Sequence, residues 1–275
     1  ERRMMGDYDQ EENTDFWAKK ENKPAIETFQ RDVAEAELWK AVKDGTIEEI
    51  YWVGGEPLMY EQHWRYMKRI VELNDGGRVY ARYNTNLSRV DYRGCNLYRD
   101  ILSCIRDWQI CASLDGTGAT GEYIRTGLDY KQFCDNFEQG LGYQKHRRQM
   151  RLDFTITLLG LLELKNMFDL SQQLNTQILT KVMFTFSNDE ILSPLSLPKN
   201  LLHNIIDEAL AYIEPKATRK QRALIDVLKN LKTRKTFTAT KKGKLRQLWL
   251  DKIRKQDITK LLANDERVLE WWKSI

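Results

Sequence analysis

The chain has 275 residues and a formal net charge of +4, and it contains eight Trp, nine Phe and twelve Tyr. This length and aromatic content exclude a disordered tail and a disulfide-stapled miniprotein, because such a chain can bury one large core or two modest ones. The opening sequence ERRMMGDYDQEEN lacks an initiator Met and an apolar signal-peptide core, and no later stretch is apolar for long enough to span a bilayer. We therefore expect a soluble, cytoplasmic protein without membrane partners.

The first predicted element is a helix over residues 25–43, whose apolar side chains recur at helical intervals before Gly45. Strands and helices then alternate. The predicted strands lie near 47–53, 78–83, 109–114, 150–158 and 179–186, and the predicted helices near 61–73, 97–108, 130–147 and 164–175. Because strands joined by crossover helices pair in parallel, the predicted fold class is α/β, with a partial (β/α) barrel of parallel strands.

Downstream of Pro194 and Pro198 the sequence predicts only helices. Two apolar stripes mark them, one formed by Leu224, Leu228 and Leu231, the other by Leu245, Leu248 and Trp249. The predicted organisation is a polar N-terminal segment at 1–24, a barrel-like core at 25–195 and a basic helical C-terminal region at 196–275.

The C-terminal region contains a strongly basic segment, residues 216–255. It has fifteen Lys or Arg and only two acidic residues, a local balance of +13 that leaves −9 on the rest of the chain. Two interpretations stay open: a solvated helical surface, and a surface that binds nucleic acid or an acidic partner.

The first predicted strand ends in the sequence GGEP. Gly54 and Gly55 permit unusual backbone geometry and close approach of a ligand, and Pro57 presets the backbone for the following helix. Glu56 adds a carboxylate beside exposed carbonyl groups. This combination suits an ammonium group, and a tight strand-to-helix turn is the structural alternative.

The second predicted strand ends in ARYNTNLS, residues 81–88. Asn84, Thr85 and Asn86 can donate to and accept from hydroxyl groups there. Since loops after parallel strands share one edge of the sheet, we expect these side chains beside the GGEP turn. Ordinary turn chemistry is the alternative.

The third predicted strand ends in CASLDGTGATGEYIRTG, residues 111–127. Ser113 and Asp115 lie at the same edge, and Arg125 offers a planar guanidinium that can clamp a carboxylate. These residue types are also common in turns, so the succession of three polar strand ends is more informative than any one of them.

Together, GGEPL, NTN and SLDG followed by YIRTG resemble the radical S-adenosylmethionine (radical SAM) superfamily. The resemblance covers about residues 25–198 and is closest to peptide- and protein-modifying members with SPASM or twitch extensions. It implies that Gly54, Gly55, Glu56 and Pro57 hold the methionine ammonium of SAM.

The same resemblance implies roles for the other two strand ends. Asn84 or Asn86 would lie near the ribose or the substrate, and Ser113 near the methionine moiety. Asp115 belongs to the same cofactor site, and Arg125 would bind the SAM carboxylate.

The family's CxxxCxxC loop, which holds a [4Fe–4S] cluster, is missing from this sequence. The four cysteines, Cys95, Cys104, Cys111 and Cys134, are 9, 7 and 23 positions apart. They match no cluster spacing, and we expect Cys104 and Cys111 to be core thiols in a reducing compartment. The three scattered histidines are expected on helix surfaces or at caps.

The predicted core also begins with a helix rather than a strand. We therefore expect an N-terminally incomplete chain whose cluster loop lay upstream of residue 1, and a cluster-free relative is the alternative. In the first case the implied activity is reductive cleavage of SAM and hydrogen abstraction from a peptide or protein, with an external electron donor. In the second, the chain is a binding module that uses the basic segment. RNA modification by the same chemistry is a third possibility.

Overall fold

The structure is a computed structural model, which describes residues 19–73, 77–183 and 188–275. The strands are β1 (Glu49–Trp52), β2 (Tyr80–Thr85), β3 (Asp91–Tyr92), β4 (Cys95–Asn96), β5 (Asp107–Ser113), β6 (Met150–Ile156) and β7 (Gln177–Val182). Five of them form one parallel sheet in the order β1-β2-β5-β6-β7, and β3 and β4 form a small antiparallel hairpin. The protein is therefore an α/β protein, as predicted.

Helices connect the strands and fill the C-terminal region. They are α1 (Lys23–Phe29), α2 (Glu35–Lys43), α3 (Glu61–Glu72), α4 (Gly118–Ile124), α5 (Tyr130–Tyr143), α6 (Leu158–Leu162), α7 (Leu164–Gln173), α8 (Lys199–Ile213), α9 (Arg222–Thr233), α10 (Lys241–Arg254), α11 (Ile258–Leu262) and α12 (Glu266–Ser274). A π-helical turn at Gln30–Ala34 joins α1 to α2, so the predicted first helix is confirmed as one interrupted helix. None of the helices in the described ranges is long and apolar enough to cross a membrane.

The two faces of the parallel sheet differ in burial. Alternate residues of β2 and β5, such as Tyr83 and Ile110, are fully buried, and the residues between them are half-exposed. Helix α3 covers the buried face, where the Trp52 indole nitrogen lies 3.3 Å from the Met67 sulfur. Parallel sheets usually bury both faces. The half-exposed face is therefore the unusual surface of this fold.

In the central region, one predicted element was wrong and two elements were not predicted. The helix expected at 97–108 is a π-helical turn at Leu97–Ile101 and a short 3₁₀ turn at Leu102–Cys104, after which β5 begins at Asp107. The β3–β4 hairpin was not predicted, and neither was α4, which starts inside the glycine-rich GTGATG sequence. The last predicted strand is β7, which starts at Gln177, and residues 184–186 of that prediction lie outside the described residues.

The C-terminal helices pack on the sheet layer through buried polar contacts. Gln221 donates to the Ser171 hydroxyl of α7 over 2.7 Å, and the Tyr123 hydroxyl of α4 donates to Asp251 of α10 over 2.5 Å. The predicted stripe on α9 is buried, as expected. The prediction of a second apolar stripe was wrong, because Leu245 and Leu248 are exposed. Helix α10 instead buries Gly243, Gln247 and Asp251.

Candidate functional site

The carboxyl ends of β1, β2 and β5 meet at one edge of the sheet, because these strands are parallel neighbours. Gly54 and Gly55 follow β1 with φ values of +86° and +51°. Both residues are exposed, and a Cβ on either would meet nothing within 4 Å. Glycine is needed here for backbone conformation, and the turn leaves its peptide groups open to a ligand.

Glu56 joins the loop after β1 to the loop after β2. Its Oε2 accepts from the Asn86 amide at 2.8 Å, and its Oε1 accepts from the Thr85 hydroxyl at 2.5 Å and from the Leu58 amide at 3.2 Å. The carboxylate therefore positions the two loops and caps the 3₁₀ turn that starts at Pro57. The GGEP and NTN sequences meet, as predicted.

The two asparagines at the end of β2, Asn84 within the strand and Asn86 after it, have different surroundings. Asn84 lies on the half-exposed face of β2, opposite Cys111 of β5. The side-chain oxygen of Asn86 accepts from the Ser88 amide at 2.9 Å, which is the turn chemistry that was the alternative for this residue. Of the two asparagines, Asn84 is therefore the one placed to contact a ligand, because it lies on the half-exposed face of the sheet.

Ser113 is the last residue of β5, and Asp115 lies in the loop that follows it. Ser113 lies opposite Asp153 of β6, two positions beyond the partner of Asn84, so Asn84 and Ser113 share one face of adjacent strands. Asp115 is 6% exposed, and its Oδ1 accepts from the Thr155 amide at 2.8 Å. This carboxylate therefore fixes the β5 loop against β6.

Arg125 and Asp115 form an ion pair. The distance from Arg125 Nε to Asp115 Oδ2 is 2.8 Å, and the arginine side chain is 29% exposed. Within the described residues, the two terminal nitrogens of this guanidinium have no hydrogen-bond partner. Arg125 is therefore held by the charge of Asp115, although its buried Nε makes no aligned hydrogen bond, and its two terminal nitrogens are free to bind an anionic group.

Glu163 was missed by the sequence analysis. It is 4% exposed, and its Oε2 accepts from the Thr117 amide at 3.0 Å and the Thr117 hydroxyl at 2.6 Å. Glu163 therefore fixes the loop between Asp115 and α4, although it lies 46 positions after Thr117 in the sequence. No local pattern around LLELK marks this role, because the contact arises only in the folded chain.

The half-exposed face of the sheet carries further charged groups that the sequence analysis did not single out. Lys181 of β7 contacts Asp153 of β6, with 2.6 Å between Nζ and Oδ2, and Asp153 is 7% exposed. Cys111 lies beside them, and burial raises the pKa of its thiol, with the Asp153 charge adding to the effect. Polar side chains therefore surround Asn84 and Ser113 on the half-exposed face of the sheet.

The cysteines do not assemble into a metal site. Cys95 is buried, Cys104 is exposed, and Cys111 and Cys134 are intermediate. The expectation that Cys104 and Cys111 are core thiols was wrong for Cys104, which ends an exposed 3₁₀ turn, and Cys111 is only half-buried on the polar face of β5. Across residues 19–73, 77–183 and 188–275, no group of three or more His, Cys, Asp or Glu side chains could hold a metal ion.

The histidine prediction was wrong for two of three residues, because His63 is buried and His146 lies in the loop after α5, whereas His203 lies on α8. His63 is fully buried on α3, where its Nε2 lies 3.1 Å from the Tyr83 hydroxyl, and burial lowers its pKa to about 3. His146 pairs with Asp107 at 3.0 Å and is about half-exposed, and His203 contacts the Lys232 carbonyl at 2.9 Å. His63 is thus a neutral part of an aromatic cluster with Trp52 and Trp64.

The basic segment, residues 216–255, does not present all of its cations to solvent. Lys229 pairs with Glu214, Lys232 with Asp207 and Lys242 with Asp189, at 2.6, 2.5 and 3.2 Å between nitrogen and oxygen. Acidic residues outside the segment therefore neutralise part of its charge.

Comparison with protein-family models and with curated protein sequences found no match for the chain.

Proposed function

We propose that the chain is the SAM-binding core of a radical SAM enzyme that acts on a peptide or protein. The observation that carries the proposal is the arrangement at one edge of the sheet. There, the open turn at Gly54 and Gly55 follows β1, Asn84 lies near the end of β2, and the ion-paired Arg125 comes after α4, which follows β5. Catalytic and binding groups collect at this edge in parallel α/β folds.

We also propose that the sheet is part of a (β/α) barrel. Its strand order follows the chain without reversal, whereas doubly wound sheets reverse at a switch point. The half-exposed polar residues lie on one face, which in a barrel would be the interior surface. Closure of the barrel stays a prediction.

The residues present fit the amino-acid end of SAM at two points. The peptide groups of Gly54 and Gly55 are open to an ammonium group, and the terminal nitrogens of Arg125 are open to a carboxylate. The side chain of Glu56 is already bonded to protein donors, so its part in this proposal is to position the glycine turn. If SAM and a reduced cluster were bound, they would supply hydrogen abstraction from the substrate, and Gly54, Gly55 and Arg125 would hold the amino-acid end of SAM.

The cysteines of this chain do not fit a [4Fe–4S] cluster, since they lie in separate elements. A cluster would therefore need thiolate ligands from outside these 275 residues. What this chain contributes is orientation: Arg125 is held by Asp115, and the loop that carries Asp115 is held by Glu163 and Thr155.

The proposal predicts recognition of the amino-acid part of SAM. Calorimetry would compare SAM with 5′-methylthioadenosine, which has the nucleoside but lacks the ammonium and carboxylate groups. We expect SAM to bind at least about tenfold more tightly, because its carboxylate can form charge-assisted hydrogen bonds with Arg125. Arg125→Gln and Gly55→Ala should each reduce this ratio toward one.

Arg69→Gln is the matched control, because Arg69 is also paired with an acid, Glu72, but lies on α3. It should leave the ratio unchanged. Partial unfolding lowers the binding of both ligands equally, so the ratio is insensitive to it. Equal affinities in the wild-type chain, or a ratio that survives both site variants, would contradict the proposal.

A further inference from the structure

A second polar surface lies at the opposite edge of the sheet, where β2, β5 and β6 begin. It is a cleft of about 600 Å³. Its lining residues are Tyr80, Asp107, Gln109, His146, Arg147, Arg148 and Arg151. Three arginines around one open depression can bind an anion, and the proposed SAM site at the other edge of the sheet does not use them.

The three guanidinium groups are not neutralised within the described residues. No carboxylate there lies within ion-pair distance of Arg147, Arg148 or Arg151. A fourth cation, Lys220, lies near Arg147 but outside the lining, and its ammonium group donates to the backbone carbonyl and side-chain oxygens of Asn175. Burial lowers the pKa of Lys220, and the positive charge of Arg147 lowers it further. The cleft thus gathers like charges that an anionic ligand would stabilise.

Asp107 is the one carboxylate in the lining, and its oxygens are already used. Oδ1 accepts from the Trp108 amide at 2.7 Å and from Gln149 Nε2 at 2.8 Å, and His146 Nε2 lies 3.0 Å away. Burial disfavours the charged form, yet these hydrogen bonds hold the pKa of Asp107 below its ordinary value. The carboxylate therefore acts as an internal anchor for His146, and its repulsion of an anion is reduced.

The backbone of the arginine loop is fixed as well. Gln109 Nε2 and Arg151 Nε both donate to the Arg148 carbonyl, at 3.3 and 3.0 Å. Arg147 and Arg148 are exposed, so their side chains are available, while the loop that carries them is held against β5 and β6. A fixed loop lowers the entropy that is lost when a ligand binds.

We propose that this cleft binds a small ligand with two or more linked phosphate groups. Planar guanidinium groups match phosphate oxygens in pairs, and the volume is in the range of small-molecule sites. Nucleic acid fits the surface less well, because a strand needs a track of cations along its backbone, whereas these cations share one depression. The chemistry of the remaining lining groups, the Tyr80 hydroxyl and the Gln109 amide, suits the polar remainder of such a ligand.

Inorganic tripolyphosphate is the probe that tests this site, with calorimetry on the full chain at fixed salt. The wild-type chain should bind one equivalent. Arg147→Ala combined with Arg148→Ala should weaken binding roughly 100-fold, about tenfold for each guanidinium. Arg151→Lys, which keeps the charge but loses the planar fork, should weaken it less.

The matched control combines Lys235→Ala and Lys252→Ala, which removes two exposed cations from the basic segment. It should leave tripolyphosphate binding within about twofold, since distant surface charges are screened by salt. Equal losses in both double variants would overturn the proposal by indicating diffuse attraction. So would the absence of one-site binding, or a single-stranded RNA 12-mer that binds more tightly and is not displaced by tripolyphosphate.

Discussion

The loop that leads to Arg125 depends on a close contact between two glycines, and this contact gives a sharp prediction. A Cβ added to Gly121 would lie 2.3 Å from the Gly116 carbonyl oxygen and 3.0 Å from its carbon. Both atoms belong to the backbone, so no flexible side chain can move aside. Overpacking costs about 1–3 kcal/mol, and a clash of 2.3 Å with rigid backbone belongs to the upper part of that range, about 2–3 kcal/mol; about 1 kcal/mol is regained because Ala favours a helix. We expect Gly121→Ala to destabilise the protein by about 1–2 kcal/mol.

Gly142→Ala is the matched control, because it makes the same change in α5, where an added Cβ meets nothing within 4 Å. It should stabilise the protein by up to about 1 kcal/mol. Urea unfolding followed by circular dichroism would measure both variants, and the midpoints should move in opposite directions. If Gly121→Ala were as stable as wild type, the close packing of this loop, and the placement of Arg125 that depends on it, would be refuted.

Two further predictions concern buried polar groups. Tyr123→Phe should lower the free energy of unfolding by about 1.5–3 kcal/mol, because it removes a hydroxyl donor from the buried Asp251, whereas Tyr143→Phe at an exposed ring should have little effect in the same urea assay. His63 has a folded-state pKa of about 3, below its value in the unfolded chain, so its contribution to stability is complete above about pH 6.5 and is lost as the pH falls toward 3. The wild type should therefore lose stability relative to His63→Gln by up to about 1.4 kcal/mol per pH unit in that range, and parallel stability curves for the two proteins would contradict the burial of a neutral imidazole.

The positions of β1, β2 and β5 could be predicted, because each combines an apolar run with a polar or glycine-containing end. Helix α4 could not, because Gly118 and Gly121 are poor helix formers in isolation. Gly121 is in the helix because it packs against Gly116, which is a tertiary contact. The 97–108 error has a related cause: the apolar spacing is helical, and Asn96 caps the segment by accepting from the Tyr98 and Arg99 amides, yet the chain turns into β5 within three residues of Cys104.

The short motifs of the candidate site could be predicted from the sequence, whereas the long-range contacts that hold these motifs in place could not. Glycines and carboxylates at strand ends are visible as short motifs. The contact between Glu163 and Thr117, and that between Lys181 and Asp153, join residues 46 and 28 positions apart. Such pairs are set by strand register and helix packing, which a single sequence does not encode locally.

The C-terminal region is coupled to the candidate SAM site through α4. Asp251 accepts from Tyr123 and from the Ile258 amide at 2.8 Å, and Gln247 donates to both Tyr123 and Asp251. Tyr123 lies two residues before Arg125, so the polar stripe that α10 turns inward fixes the helix that carries the guanidinium. This explains why α10 buries polar residues and exposes Leu245 and Leu248: its inward contact is a hydrogen-bonded network, and an apolar face there would leave a buried tyrosine hydroxyl without a partner.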